Sequence, residues 1–175
     1  MSISAEFVNP FIEAAIAVAS KVAGIRMRRG HLAVKRQPDP AYGVSIIVGV
    51  YGFLTGQVVY SMKKNLADRF VDRMLEGCTG IERETLYLDT LGELANMITG
   101  NATAILNKRK ELALGITTPA IATGTDLSIS LINIPTLALG LYSQYGPIEI
   151  NVALKEGVAA DGLEHTAPSS VGGCE

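Results

Sequence analysis

Residues 88–110, LDTLGELANMITGNATAILNKRK, constrain the fold of this chain more than any other stretch. At about 100° of rotation per residue, Asp89, Gly92, Glu93, Asn96 and Gly100 fall on one narrow stripe of a helix. Leu91, Leu94, Ala95, Ile98, Ala102 and Ile105 gather on the opposite side. Such a helix buries its apolar side against a core and turns a carboxylate and a carboxamide outward, one turn apart. Two glycines on the polar side leave room for another backbone to approach.

On either side the sequence changes period. VSIIVGVY and GQVVYSMK are β-branched runs separated by GFLTG, which predicts an antiparallel hairpin. PTLALGLYSQYGPIEINVALKE repeats the theme with a turn at Ser143 to Gly146, and PAIATG predicts a short strand. IRMRRGHLAVKR suits a half-exposed strand, and Pro38 and Pro40 mark the loop after it. Asn9-Pro10 predicts an N-cap followed by proline at the first helical position, for a helix ending near Gly24. Asn65 is placed to cap a helix over LADRFVDRMLEG, with Phe70, Met74 and Leu75 along one side. The long helix is expected from about Glu84 to Lys110. From about Gly157 the chain is Gly, Ser, Ala and charge, with too little apolar content to pack. We therefore expect one domain over residues 1–156 and a disordered tail over 157–175.

A faint duplication runs through this order. Residues 9–16, NPFIEAAI, align with residues 89–96, DTLGELAN, and each is followed by a strand, a proline-containing loop and a hairpin. In the first copy Ile16 takes the place of Asn96 and Asn9 that of Asp89. The expected fold class is α+β: a pseudo-twofold single domain, an antiparallel-hairpin sheet with helices packed on one face.

Composition excludes several functions. The formal net charge of −2 lacks the basic surplus of a nucleic-acid binder. The cluster Arg26, Arg28, Arg29, Lys35 and Arg36 fits the wet face of an edge strand better than a phosphate patch. No apolar run approaches the roughly 18 residues that span a bilayer, and the N-terminus has no basic-then-apolar leader, so a cytoplasmic protein is expected. Cys78 and Cys174 are too few and too far apart for a disulfide framework or zinc site. His31 and His165 have no partner at metal-ligand spacing, and Met62, Met74 and Met97 suit core filling. No GxxxxGK[ST] loop and no Cys-x5-Arg phosphatase signature occurs.

Asp89, Glu93, Asn96 and Pro119 fit the spacing Asp/Ser-x3-Glu-x2-Asn-x22-Pro. This pattern resembles the signature of the CheC/CheX/FliY chemotaxis phosphatases, and most closely the CheX branch, which has one active signature. NPFIEA, ELANMITGNA and PIEINVAL also look like that branch, so the resemblance covers roughly residues 5 to 156. It implies an aspartyl-phosphate phosphatase acting on phosphorylated CheY or a related receiver domain, which brings its own Mg²⁺ and lysine; this chain would need no cofactor or metal of its own. Asn96 would orient the attacking water and Glu93 would reach the receiver's lysine. Asp89 would meet the partner's rim or stiffen the helix, Gly92 and Gly100 would let the partner approach, and Pro119 would be structural. The first copy would be inactive, because Ile16 cannot orient water. The resemblance further implies a homodimer joined at sheet edges; charge and apolar run length already speak against nucleic acid and membrane as partners. The alternative is a non-catalytic adaptor of the same fold that binds a receiver or flagellar-switch component.

Overall fold

A computed structural model describes residues 4–35, 42–110, 112–124 and 134–157. The first helix, α1 (Ala5–Ala23), leads to β1 (Arg28–Lys35) and then to the hairpin β2 (Val44–Gly52) and β3 (Leu54–Met62). Helices α2 (Lys64–Met74) and α3 (Gly80–Lys110) follow. Short strands β4 (Leu114–Ile116) and β5 (Ala120–Thr123) precede the second hairpin, β6 (Thr136–Ser143) and β7 (Gly146–Glu156). Arg36, Pro38, Pro40, His165, Cys174 and residues 158–175 of the expected tail lie outside the described residues.

The sheet is antiparallel throughout, in the order β1-β6-β7-β3-β2, with β4 and β5 both paired to the outer side of β2. Exchanging the two copies reverses this order and leaves it unchanged, as the duplication requires. The pseudo-dyad runs between β3 and β7, where Val59 faces Asn151 near the middle of the ladder. Each copy lends its first strand to the other's hairpin: β1 pairs with β6, and β5 pairs with β2. The same exchange repeats in detail. Tyr51 on β2 covers Gly115 on β4, and Tyr142 on β6 covers Gly30 on β1, aromatic rings shielding glycines in edge strands.

One face of the sheet carries the core. Val44, Ile46, Val48, Val58, Tyr60, Ile148, Ile150, Val152 and Leu154 alternate toward the helices. There they meet Phe11, Ile12, Ala15 and Val18 of α1 and Leu91, Leu94, Ala95, Ile98, Ala102 and Leu106 of α3. The opposite face is built of smaller and polar residues, among them Ser45, Ser61, Ala138 and Ala153, all buried. Met62 is fully buried, while Met74 and Met97 pack against the core from its margin.

Four helix details differ from the sequence reading. The first helix begins upstream of Asn9, with the Ser4 hydroxyl accepting from the Glu6 amide at 3.3 Å. Pro10 therefore sits inside α1. Its missing N–H costs one bond to the Glu6 carbonyl, which burial of Val8 and the ring itself offsets. The cap of α2 is Lys63, with no side-chain cap, and Asn65 lies exposed in the first turn. The long helix starts at Gly80, four residues before Glu84. Ile105 is only half-buried and Leu106 takes the core position. At its C-terminus α1 closes as expected, with Gly24 in the left-handed conformation, its N–H donating to the Ser20 carbonyl and the Ile25 N–H to that of Ala19.

Gly56 pairs with Leu154 beside the pseudo-dyad at a φ of 150°, and a Cβ there would collide with the Ala153 carbonyl. Gly56→Ala should destabilise the domain by about 2–4 kcal/mol, read as a lower midpoint in urea unfolding. An unchanged midpoint would show that the β3–β7 ladder yields freely there.

Candidate functional site

The first turns of α3 contain no fully buried residue and are held to α2 by polar contacts. Arg83 pairs with Asp72 at 2.6 Å, and the Tyr87 hydroxyl donates to Asp68 at 2.8 Å. Lys64 donates to both oxygens of the same carboxylate at 2.7 and 2.8 Å. Burial alone would raise the Asp68 carboxyl pKa, but the Lys64 and Tyr87 hydrogen bonds overcome it and hold the group below its ordinary value. Beyond Asp89 the helix passes over the sheet, and the apolar side that starts at Thr90 and Leu91 is buried.

That packing decides where the polar stripe points. Asp89 and Glu93 are exposed, and Asn96 is half-buried at the margin of the helix. Among the described residues, none hydrogen-bonds or ion-pairs with the side chains of Asp89, Glu93 or Asn96. Asn107, five turns on from Asp89 along the same stripe, behaves differently. Its carboxamide donates to the Leu114 carbonyl at 3.2 Å and accepts from the Leu114 amide at 3.0 Å, fastening β4 to the helix. Sequence reading missed this role and β4 with it, although the five-turn spacing was visible.

The two glycines stand open. A Cβ at Gly92 would meet only Ile121 of β5, at an ordinary 3.8 Å, and one at Gly100 would meet nothing within 4 Å. Packing among the described residues therefore does not require either glycine. Pro119 lies half-buried between β4 and β5, in the edge segment that flanks the stripe. There the ladder with β2 is interrupted: Gly49 donates its amide to the Thr117 hydroxyl at 3.0 Å, while the Thr117 amide returns to the Gly49 carbonyl. The chain thus brings Asp89, Glu93 and Asn96 onto one surface and sets Pro119 in the neighbouring strand edge.

The first copy is occupied by its own chain. Asn9, aligned with Asp89, accepts from Arg29 at 3.1 Å, and Glu13, aligned with Glu93, pairs with Arg109 at 3.2 Å. Ile16 packs against the core. In the basic cluster, Arg26 and Arg28 are exposed and Lys35 bridges to Glu149 at 2.6 Å. His31 is exposed on β1 and Cys78 is a half-buried free thiol. Among the described residues no three or more His, Cys, Asp or Glu side chains converge as a metal site, and no helix is long and apolar enough to cross a membrane.

An antiparallel sheet with a pseudo-dyad, one helical face and a single open carboxylate–carboxamide stripe defines a recognisable class. The chain belongs to the CheX family of chemotaxis phosphatases, whose family model, described as chemotaxis phosphatase CheX, matches residues 44–137. It is 25% identical over 156 residues to the CheY-P phosphatase CheX of Thermotoga maritima, covering 87% of this chain and 98% of that protein. The crystal structure of chemotaxis protein CheX from Desulfovibrio desulfuricans superposes with a TM-score of 0.76 at 27% identity, over 87% of this chain and 99% of that one. A CheX from Borrelia burgdorferi, crystallised as a CheX-CheY-BeF3-Mg²⁺ complex, gives a TM-score of 0.69 at 25% identity, over 86% and 98% of the two chains.

Because none of the described residues fills the space beside Gly100, replacing it by alanine should recover helix propensity. Gly100→Ala is expected to stabilise the free protein by about 0.5–1 kcal/mol, seen as a higher thermal midpoint. A lower midpoint would mean that the site is crowded after all.

Proposed function

We propose that this protein accelerates hydrolysis of the aspartyl phosphate on CheY or a related response-regulator receiver domain. The observation that carries the reading is the open stripe of Asp89, Glu93 and Asn96, unengaged within the described chain and flanked by two uncrowded glycines. It gains support from a relative named CheY-P phosphatase CheX and from another crystallised together with CheY and Mg²⁺.

The chemistry needs little from this chain. An acyl phosphate is already activated, and the receiver is assigned the Mg²⁺ and the lysine beside it. What is left to supply is one water held in line with the departing aspartate oxygen, and ordering it removes an entropic part of the barrier. The Asn96 carboxamide suits that role, because its oxygen accepts from water, its nitrogen donates to a phosphoryl oxygen, and its neutrality avoids repelling the phosphate. Glu93, one turn back, makes a charge-assisted contact to the receiver's lysine. Asp89 meets the rim of the receiver, Gly92 and Gly100 let its backbone approach, and Pro119 shapes the strand edge beside the helix. The first copy has no equivalent, since Glu13 is paired and Ile16 is apolar.

A purified assay of phosphate release with catalytic amounts of protein tests the reading. Asn96→Ala should lose about 100-fold in turnover while still binding the phosphorylated receiver, and Glu93→Ala should weaken binding and turnover together. Wild-type turnover in Asn96→Ala would remove the water-orienting role. Binding by the wild-type protein without turnover would favour the adaptor.

Among the described residues the outer side of β1 is an unpaired edge, carrying exposed Leu32 and Val34, 47% and 74% accessible. Such an edge invites a second copy, and a homodimer joined there is part of the proposal. Light scattering at micromolar concentration should return twice the chain mass of 18.5 kDa, and Val34→Lys should shift it toward the monomer. A monomeric wild-type protein would contradict this assembly.

A further inference from the structure

The signature helix is continuous but carries helix-weakening residues where its polar stripe lies. Gly92 and Gly100 bracket Asn96, and glycine is a poor helix former. Thr90, Thr99 and Thr103 each donate their hydroxyl back to a carbonyl one turn earlier: Leu86 at 2.7 Å, Ala95 at 2.8 Å and Thr99 at 3.0 Å. Back-bonding of this kind loosens and bends helices. A catalytic amide on such a segment needs a fixed reference from outside the helix.

Among the described residues, a single side-chain hydrogen bond ties α3 residues 89–103 to the sheet. It joins the Tyr60 hydroxyl to the Thr99 hydroxyl at 2.8 Å, both residues fully buried. Its direction follows from valence. The one hydroxyl hydrogen of Thr99 is committed to the Ala95 carbonyl, so Thr99 accepts and Tyr60 donates. Burial pushes the Tyr60 phenol well above its ordinary value, with only partial relief from Thr99, and the donor proton stays in place. The result is a polarised chain, Tyr60 O–H to Thr99 O–H to Ala95 C=O, in a low-dielectric interior where successive hydrogen bonds reinforce one another. It ends on the Ala95 carbonyl, which belongs to the same peptide group as the Asn96 N–H. Tyr60 stands on β3 opposite Ile150 of β7, at the centre of the sheet. A phenylalanine would fill the same space without burying a hydroxyl, so packing alone does not call for tyrosine.

We propose that Tyr60 is a positioning residue for the site: through Thr99 it fixes the Ala95–Asn96 peptide plane relative to the sheet, so that the Asn96 carboxamide leaves the helix in one orientation. This deepens the functional reading and rests on the role given there to Asn96. A group that only orients water is sensitive to small displacements, since about 1 Å of misplacement costs on the order of 100-fold in rate.

The test uses the full-length protein and a phosphorylated receiver domain. Tyr60→Phe should lower kcat by about tenfold and leave KM within about twofold. Thr99→Val should do the same, whereas Thr99→Ser keeps the relay and should keep kcat. In an Asn96→Ala background Tyr60→Phe should cause no further loss, because its effect passes through the missing amide. A second measurement is independent of activity: in ¹⁵N NMR, the Asn96 backbone and side-chain amide signals should shift in Tyr60→Phe. Wild-type kcat in Tyr60→Phe, an additive loss on Asn96→Ala, or unmoved Asn96 signals would each overturn the proposal. If the wild-type protein releases no phosphate but the Asn96 signals still move, the functional reading falls and the positioning role stands.

Discussion

Burial of one side of α3 over the central strands is the constraint on which the rest depends. Leu91, Leu94, Ala95, Ile98, Ala102 and Leu106 are each no more than 2% exposed, on a helix that packs against α1 and over β2, β4 and β5. Fully burying a leucine or isoleucine is worth about 1.5–3 kcal/mol, so rotating the helix to submerge the polar stripe would forfeit several such contributions. That preference, rather than anything in the polar residues, keeps Asp89, Glu93 and Asn96 at the surface. The stripe stays open because the hydrophobic side is satisfied.

The duplication explains both the architecture and its asymmetry. Because each copy lends its first strand to the other's hairpin, neither half has a complete sheet alone, and a single cooperative domain results. Within that frame the two equivalent helix faces have diverged. On α1 the matching positions bind residues of the same chain, Asn9 with Arg29 and Glu13 with Arg109, and an isoleucine closes the pattern. On α3 the corresponding carboxylate and carboxamide have no such partners among the described residues. One symmetric scaffold therefore presents one face whose carboxylate and carboxamide are unpartnered among the described residues and one whose matching side chains are paired.

The proposed chemistry suits a scaffold of this kind. A phosphatase that borrows a metal and a lysine from its substrate needs no deep cleft and no perturbed acid or base. It needs a rigid, convex presentation of one neutral amide. A helix gives the projection, but Gly92, Gly100 and the back-bonded threonines each weaken its intrinsic stability. The buried relay from Tyr60 restores, through the sheet, what the helix gives up for an approachable surface.

The stripe, the two hairpins and the duplication were legible in the sequence because they depend on periodicity, and periodicity is local. Composition and spacing could likewise place Asn96 opposite Leu94 and Ile98 without coordinates. Boundaries were less legible. Asn9-Pro10 has the pattern of a helix start, yet α1 begins at Ala5 and buries Val8 upstream of it; Asn65 has the chemistry of a cap, yet α2 begins at Lys64 and buries Leu66 and Ala67. What only the tertiary structure decided is which polar residues are engaged within the chain. Asn107 and Asn96 share a stripe and a residue type, yet one fastens β4 and the other has no side-chain partner among the described residues; Tyr60 and Thr99 lie 39 positions apart and meet in the interior. The reason is physical: a side chain's periodicity is fixed by its own helix or strand, but its hydrogen-bond partner is fixed by whichever distant segment folding brings within about 3 Å.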